Sequence, residues 1–510
     1  MIDKLVVSNR SVLRAKYTAR GFARIKSALA RLAAADKGRG ILSNVVYLDD
    51  ARAMRSRKGR AVDDASDEVA TKRAIDALCR AEDPDYLMIV GAGDVVTQQS
   101  LDNPVKDDDP DLSVPSDLPY ACDVAYSRDI ARFVGPTRVV GRVPDIAGTS
   151  DPADAAYLVR LLDIAARHQS REPEAFRDYF ALTARSWEQS TRKTLFEIFG
   201  NDDACRTSPP SGPRFSEAAL RARSHFINCH GDIATPEFQG QFRRDYPIAL
   251  TTRTVDNKII EGTVAAVECC YGAEMYEART LGIDLPIGQS YLYQGAYAWL
   301  GSSTIAYGPA RTNAAADLVT RYFLLGLLEG GSCGRALLAA RQRYAQEASE
   351  LDPIDLKTLA QFTLLGDPSV HPVRVPSATK MTKNVSAGEG RRLLRRTQRA
   401  RAKVAGNVLL ASKPTASKPR REVAVAPRVR RTLASIAKAS GVATARFRAY
   451  AVSIPQPLRA RGKVAASSYA SRYFVAVQKR SSRPRAPDLV AVVAKEVAGR
   501  IVAYRVYERR

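Results

Sequence analysis

Apolar positions along the first three quarters of the chain fall into short buried runs separated by stretches with helical spacing. Leu5-Val6-Val7 opens a first strand. Phe22, Ile25, Leu29 and Leu32 are spaced three, four and three apart, which draws one apolar stripe and predicts a helix over residues 18–35, with Thr18 at its start and Gly38 at its exit. Residues 45–48 form a second strand, 51–82 are charged and helical, and 86–90 form a third strand. A strand at 139–143 and a helix at 152–167 close this first series. A second series follows: a strand at 179–183, a helix at 188–199 ending at Gly200, strands at 225–230, 263–268 and 295–300, then helices at 313–329 and 333–348. Strands alternating with helices predict a parallel sheet covered on both faces. Residues 91–137, rich in Asp, Pro and Gly, read as long surface loops of the kind that frame a site.

The pattern changes past Pro376. Residues 377–427 mix Arg pairs with Ser, Ala, Thr and Pro and read as a flexible linker; 428–441 have the spacing of a short basic helix. Alternating segments at 445–454, 471–479 and 489–507 follow, the last splitting at Ala498-Gly499-Arg500 into a hairpin. Four regions result: an α/β subdomain at 1–170, a second at 171–376, a basic linker at 377–442, and a small α+β or β-rich module at 443–510.

Charge sharpens this division. The chain has 78 Lys and Arg against 54 Asp and Glu, a net of +24, and residues 377–510 hold 32 of the bases against 5 acids. A near-neutral body therefore carries a basic appendage, which suits nucleic acid, an anionic surface or an acidic partner. Tyr450, Tyr473, Phe474, Tyr504 and Tyr507 lie among its arginines. Such rings can stack on bases, although the core of a small sheet is the better reading. The seven cysteines are odd in number and irregularly spaced, which excludes a disulfide framework. The residues after Met1 lack a basic segment followed by an apolar one, so a cytoplasmic location is expected. The uncharged stretch 289–310 is broken by Gln, Ser, Thr, Gly and Tyr and does not read as a membrane span.

Candidate chemistry sits at two strand ends. Residues 225–232 read His-Phe-Ile-Asn-Cys-His-Gly-Asp, and 263–273 read Thr-Val-Ala-Ala-Val-Glu-Cys-Cys-Tyr-Gly-Ala. Each is an apolar run stopping at a reactive side chain close to glycine. A thiol attacks as thiolate and needs a neighbouring base. Of the four histidines (His168, His225, His230, His371), His230 alone stands at a strand end before Gly. The N–H groups of Gly231 and Cys270 are candidate oxyanion-hole donors. In an open parallel sheet both would lie at the ligand-binding carboxyl edge. Three plainer readings compete with this one. Cys269 and Cys270 would be packed thiols, a pair as common as it is inert. Cys229, His230, Cys269 and Cys270 would hold zinc, but adjacent strand residues point to opposite faces and the usual spaced pairs are missing. Residues 90–94 would be a dinucleotide loop, but the third glycine and the opening helix are absent. His225 reads as a satisfied core or rim histidine.

The two strand ends resemble those of caspase-like cysteine peptidases, and most closely the gingipain-type family (C25). The resemblance spans roughly 1–375. It includes Gly93-Asp94 at a strand end, Ser116-Asp117 to Tyr120, Gly141-Arg142-Val143-Pro144, the segment 295–304, and Gly366-Asp367-Pro368-Ser369. It implies two side-by-side caspase-like subdomains and proteolysis, with Cys270 as nucleophile, His230 as general base and acid, and Gly231 in the oxyanion hole. Cys269, standing where the family usually has Ala, is the alternative nucleophile. In the family a pocket carboxylate selects Arg or Lys. Glu188, Tyr307 and Ser302 are the candidate pocket residues, and the expected activity is cleavage after basic residues. No cofactor or metal is called for, and calcium is left open. Peptides are the expected substrates, with self-processing at the Arg pairs in 391–431. The alternative is a catalytically silent caspase-like scaffold whose basic C-terminal region binds nucleic acid or an anionic surface.

Overall fold

The computed structural model describes residues 2–105, 109–148, 153–374, 387–419, 425–442, 444, 446–455, 471–482 and 487–510. It is a mixed α/β structure built on one ten-stranded sheet. From one edge the strands run Ser43–Tyr47, Lys4–Ser8, Tyr86–Val90, Val139–Val143, Phe362–Leu365, Ala298–Ser302, Val264–Val267, Ser224–Asn228, Tyr179–Ala184 and Cys205–Ser208. Every neighbouring pair is parallel except one: Phe362–Leu365 runs antiparallel to Ala298–Ser302. The sheet is thus two parallel halves that meet at one antiparallel seam and point opposite ways. The carboxyl edge of the second half carries the two strand ends singled out above. Helices and loops cover both faces, which is why these strands read as unbroken apolar runs.

Several motifs behind the family resemblance turn out to be buried ion pairs of the scaffold. The Arg142 guanidinium is fully buried and grips Asp117 through two hydrogen bonds, 2.6 and 2.9 Å long. Lys4, also buried, joins Asp36 to Asp367, whose other oxygen accepts from Ser369. A pair removed from water is held only when its hydrogen bonds are satisfied, and each of these ties a strand to a loop or helix.

Local expectations fail at identifiable points. The first helix spans Arg10–Gly38 and is capped by Asn9, which accepts from the Val12 N–H; Thr18 is not its cap but the kink within it, with φ of 59°. The strands Cys205–Ser208 and Phe362–Leu365 are too short and too polar or apolar to announce themselves. The expected flexible linker contains a 26-residue helix, Ala387–Ser412, packed along the helix Cys333–Glu347. Arg399 and Lys403 on it pair with Asp83, and the Ala402 carbonyl accepts from Gln342. Arg391-Arg392, Arg395-Arg396 and Arg430-Arg431 therefore lie in helices, and Arg420-Arg421 fall outside the described residues.

The C-terminal module is α+β. The helix Pro427–Ala439 lays Val429 and Leu433 on Ala449, Phe474 and Ala494. Its strands, Arg448–Ala451, Arg472–Ser482, Pro487–Val497 and Arg500–Arg509, form an antiparallel sheet with the expected hairpin at Ala498-Gly499. Tyr450, Tyr473, Phe474 and Tyr507 are buried in it, so these rings serve the core; Tyr504 is exposed. The sheet does not end within the module. Its last strand pairs with Tyr307–Gly308 of the body. Among the described residues no helix is long and apolar enough to cross a membrane.

Candidate active site

Val264–Val267 and Ser224–Asn228 are adjacent parallel strands, with Val267 opposite Ile227. The Glu268 N–H continues the ladder to the Ile227 carbonyl, and the Cys229 N–H donates to the Cys269 sulfur at 3.3 Å. The following residues, Cys270 and His230, therefore leave neighbouring strand ends side by side. Strand alternation then separates the two thiols. Cys269 is buried with Cys229, Ile227 and Trp299 on one side of the sheet, and burial pushes its thiol well above the usual range. Cys270 falls on the other side, with Leu300, Ile305, Ala306 and Tyr307. Its Sγ accepts the Ala306 N–H at 3.2 Å and lies 3.6 Å from the Ala306 carbonyl, to which the thiol can donate.

A close fit holds the two ends together. A Cβ on Gly231 would stand 1.9 Å from the Cys270 carbonyl oxygen, so only glycine fits there. Beyond Cys270 the chain turns through Tyr271 at φ of 53°. Its N–H donates to Thr304, and the Ala273 N–H donates to Ser302. The Tyr271 hydroxyl reaches Asp111, which also receives the Ile305 N–H and the buried Lys357 ammonium. The loop expected to frame the site does so through this aspartate.

His230 packs edge-on to Trp187, ring centroids 4.3 Å apart, and its Nε2 lies 2.9 Å from the Gln241 Oε1. The Gln241 amide nitrogen donates to the Tyr246 hydroxyl and the Arg243 carbonyl, which turns its oxygen toward the imidazole. That orientation places the neutral ring's proton on Nε2 and leaves Nδ1 as the basic nitrogen. His225 is a core residue: Nδ1 meets the Tyr291 hydroxyl, Nε2 meets the Ala222 carbonyl, and burial takes its pKa down to about 4.

The cleft over these residues is filled by the chain's own C-terminal strand. Tyr307 pairs with Arg509 and Gly308 with Glu508, antiparallel, and the Arg510 N–H donates to the Ala306 carbonyl at 3.0 Å. The Cys270 N–H then donates to the Arg510 main-chain oxygen at 3.3 Å. The Arg509 guanidinium reaches the Gly231 carbonyl and the Asp232 carboxylate, at 3.1 and 2.7 Å. Glu508 accepts the Trp187 indole N–H at 2.8 Å.

The Arg510 side chain enters a closed acidic pocket and has no exposed surface. Nη2 meets Asp317 Oδ1 at 3.1 Å and the Pro309 carbonyl at 2.9 Å, and Nε stands 3.9 Å from Glu268 Oε2. Trp187 stacks on the guanidinium 4.4 Å from its ring centre. Gly308 forms the wall, since a Cβ there would strike Nε at 2.4 Å. Glu268 and Asp317 are hydrogen-bonded to each other. Burial raises the pKa of both, most strongly for Glu268, and the guanidinium acts against that rise.

The sequence-expected pocket residues are placed differently. Glu188 opens a helix near the surface and pairs with Arg192 at 2.9 Å, so it does not reach the pocket; its predecessor Trp187 does. Tyr307 borders the cleft with its backbone while its hydroxyl is tied to Asp109. Ser302 holds the turn after Cys270, its hydroxyl donating to Thr304. The sequence marks Glu268 and Asp317 only faintly, by a carboxylate closing an apolar strand and a single acid opening the apolar helix Ala316–Leu328. Among the described residues, no three His, Cys, Asp or Glu side chains are grouped to hold a metal ion.

No protein-family model matches the chain, and no curated protein matches it. A solved structure described as "Structure of Protease" aligns with a TM-score of 0.46 and 14% identity, covering 99% of this chain and 97% of that one.

Proposed function

We propose that the protein is a cysteine endopeptidase that cleaves after arginine, with Cys270 as nucleophile and His230 as general base and acid. The observation that carries this reading is the position of Arg510. Its side chain fills a pocket with two carboxylates and its main-chain oxygen accepts from the Cys270 N–H, while its strand pairs with Tyr307–Gly308. A peptide substrate laid in the same way would present its scissile carbonyl to the thiol. Sγ would attack the carbonyl carbon while the oxygen takes negative charge against the Cys270 N–H. His230 would pass the thiol proton to the leaving amine, and water would then release the acyl group from sulfur. Gly231 supports this arrangement by close approach; in the resting structure its carbonyl serves Arg509. Arginine is favoured over lysine because a planar guanidinium stacks on Trp187 while its Nη2 reaches both Asp317 and the Pro309 carbonyl.

Fluorogenic peptides ending in Arg, Lys, Asp or Asn before the reporter test the reading, alongside acyloxymethyl ketone probes with the same residues. Turnover of the Arg peptide, labelling at Cys270, and loss of both in Cys270→Ala with an unchanged thermal transition are expected. Labelling at Cys269 instead, or equal turnover of the Asp peptide, would refute it.

A further inference from the structure

We infer that the strand Arg500–Arg509, with Arg510, is a built-in occupant of the substrate cleft, and that it must withdraw before a second peptide can enter. The inference rests on the proposed site but concerns its regulation. Three contacts dock the strand end as a ligand rather than as ordinary packing: the ladder to Tyr307–Gly308, Arg509 on Asp232, and Arg510 in the Glu268–Asp317 pocket. Together they leave Cys270 with no exposed surface and His230 only 3% exposed. No substrate could reach either side chain in this state.

The docking leaves part of its own charge unsatisfied. Within the pocket, Nε and Nη1 of Arg510 and Oε2 of Glu268 are buried without hydrogen-bond partners. Such groups lose hydration that a 3.9 Å ion contact does not fully restore. The strand itself is secured along its length by the ladder to Pro487–Val497, from Arg500 opposite Val497 to Glu508 opposite Val490, so Arg509 and Arg510 alone lie beyond it. Arg509 and Arg510 can therefore leave the cleft while the ladder of the module stays intact. The class of ligand that competes is set by the same contacts: an extended peptide with acidic, basic and arginine side chains in succession, as in Glu508-Arg509-Arg510. The Tyr246 hydroxyl bonds Asp488 of the preceding strand and also Gln241, the partner of His230, so the module touches the imidazole's orientation as well as the pocket.

Occupancy can be tested apart from catalysis. In full-length Cys270→Ala protein, a fluorescein-labelled Val-Tyr-Glu-Arg-Arg peptide should bind at least ~10-fold more tightly once Arg510→Ala is added, as read by anisotropy. The same peptide with its last residue changed to Ala should not gain. Arg510→Gln, which keeps most of the side-chain volume, provides a second variant should the alanine change impair folding. With Cys270 intact, either variant should cleave an Arg peptide at least ~10-fold faster than the parent chain. Equal peptide affinity with and without Arg510 would overturn the inference and leave the peptidase reading standing. Increased affinity with no turnover in any variant would uphold occupancy and sink the peptidase.

Discussion

Cys269 and Cys270 share a peptide bond yet occupy different chemical worlds. Cys269 faces a core that opposes its ionisation, whereas Cys270 accepts an N–H beside the cleft. Cys269→Ala is therefore expected to keep peptidase turnover while losing roughly 1–2 kcal/mol of stability from the small cavity left behind; chemical denaturation beside a kinetic assay checks both. Gly231 has the opposite profile. Gly231→Ala forces a Cβ onto the Cys270 carbonyl and should abolish turnover and lower the melting temperature together. Glu274 offers a pH test. Burial raises its carboxyl to about 7, against the opposing effect of the Ala234 N–H it accepts beside the His230-Gly231 turn. A carboxyl whose pKa is raised by folding adds stability at low pH and loses that contribution as pH rises through the folded value. Between the usual carboxylate value and about 7, melting temperature should thus decline by more in the parent protein than in Glu274→Gln.

Among the elements, the turn after Cys270 and the loop around Asp111 hold each other. Lys357, fully buried on the helix Pro353–Gln361, bonds Asp109 at 2.6 Å and Asp111 at 2.9 Å, and these carboxylates in turn fix Tyr307, Tyr271 and Ile305. Replacing the ammonium by a methyl group strands two buried carboxylates. Lys357→Met should cost about 3–5 kcal/mol, measured by urea unfolding, and turnover should fall because the wall of the cleft is displaced. The pocket shows the same dependence between elements: Glu268 ends one strand, Asp317 opens a helix, and Trp187 precedes another helix. None of them makes a site without the other two.

On the scale of the whole molecule, the described part of the basic appendage is not a free tail. Val475, Ala491 and Tyr507 of the module lie in one continuous apolar cluster with Leu300, Leu351 and Phe362 of the body. Some of its charges meet acids nearby: Arg472 pairs with Glu496, Lys495 with Glu350, and Arg399 and Lys403 with Asp83. Body and module should therefore melt in a single calorimetric transition, and a separate low-temperature peak for the module would contradict this packing.

Much of the architecture was written in the order of residues. Apolar runs of four or five flanked by helical spacing dictate a covered parallel sheet, because only burial on both faces tolerates strands such as Val264–Val267. The His-Gly and Cys-Cys strand ends were legible for the same reason: a reactive side chain closing a buried strand is costly unless it meets a cleft. Alternation along the strand even determined that the two thiols must part. Tertiary structure alone decided where Glu268, Asp317 and Trp187 converge, since residues remote in sequence carry no mark of meeting. It also decided that a segment resembling a basic tail returns across some two hundred positions to pair with Tyr307–Gly308. Period and composition describe what a strand is made of; which edge it joins depends on the shape and charge waiting there.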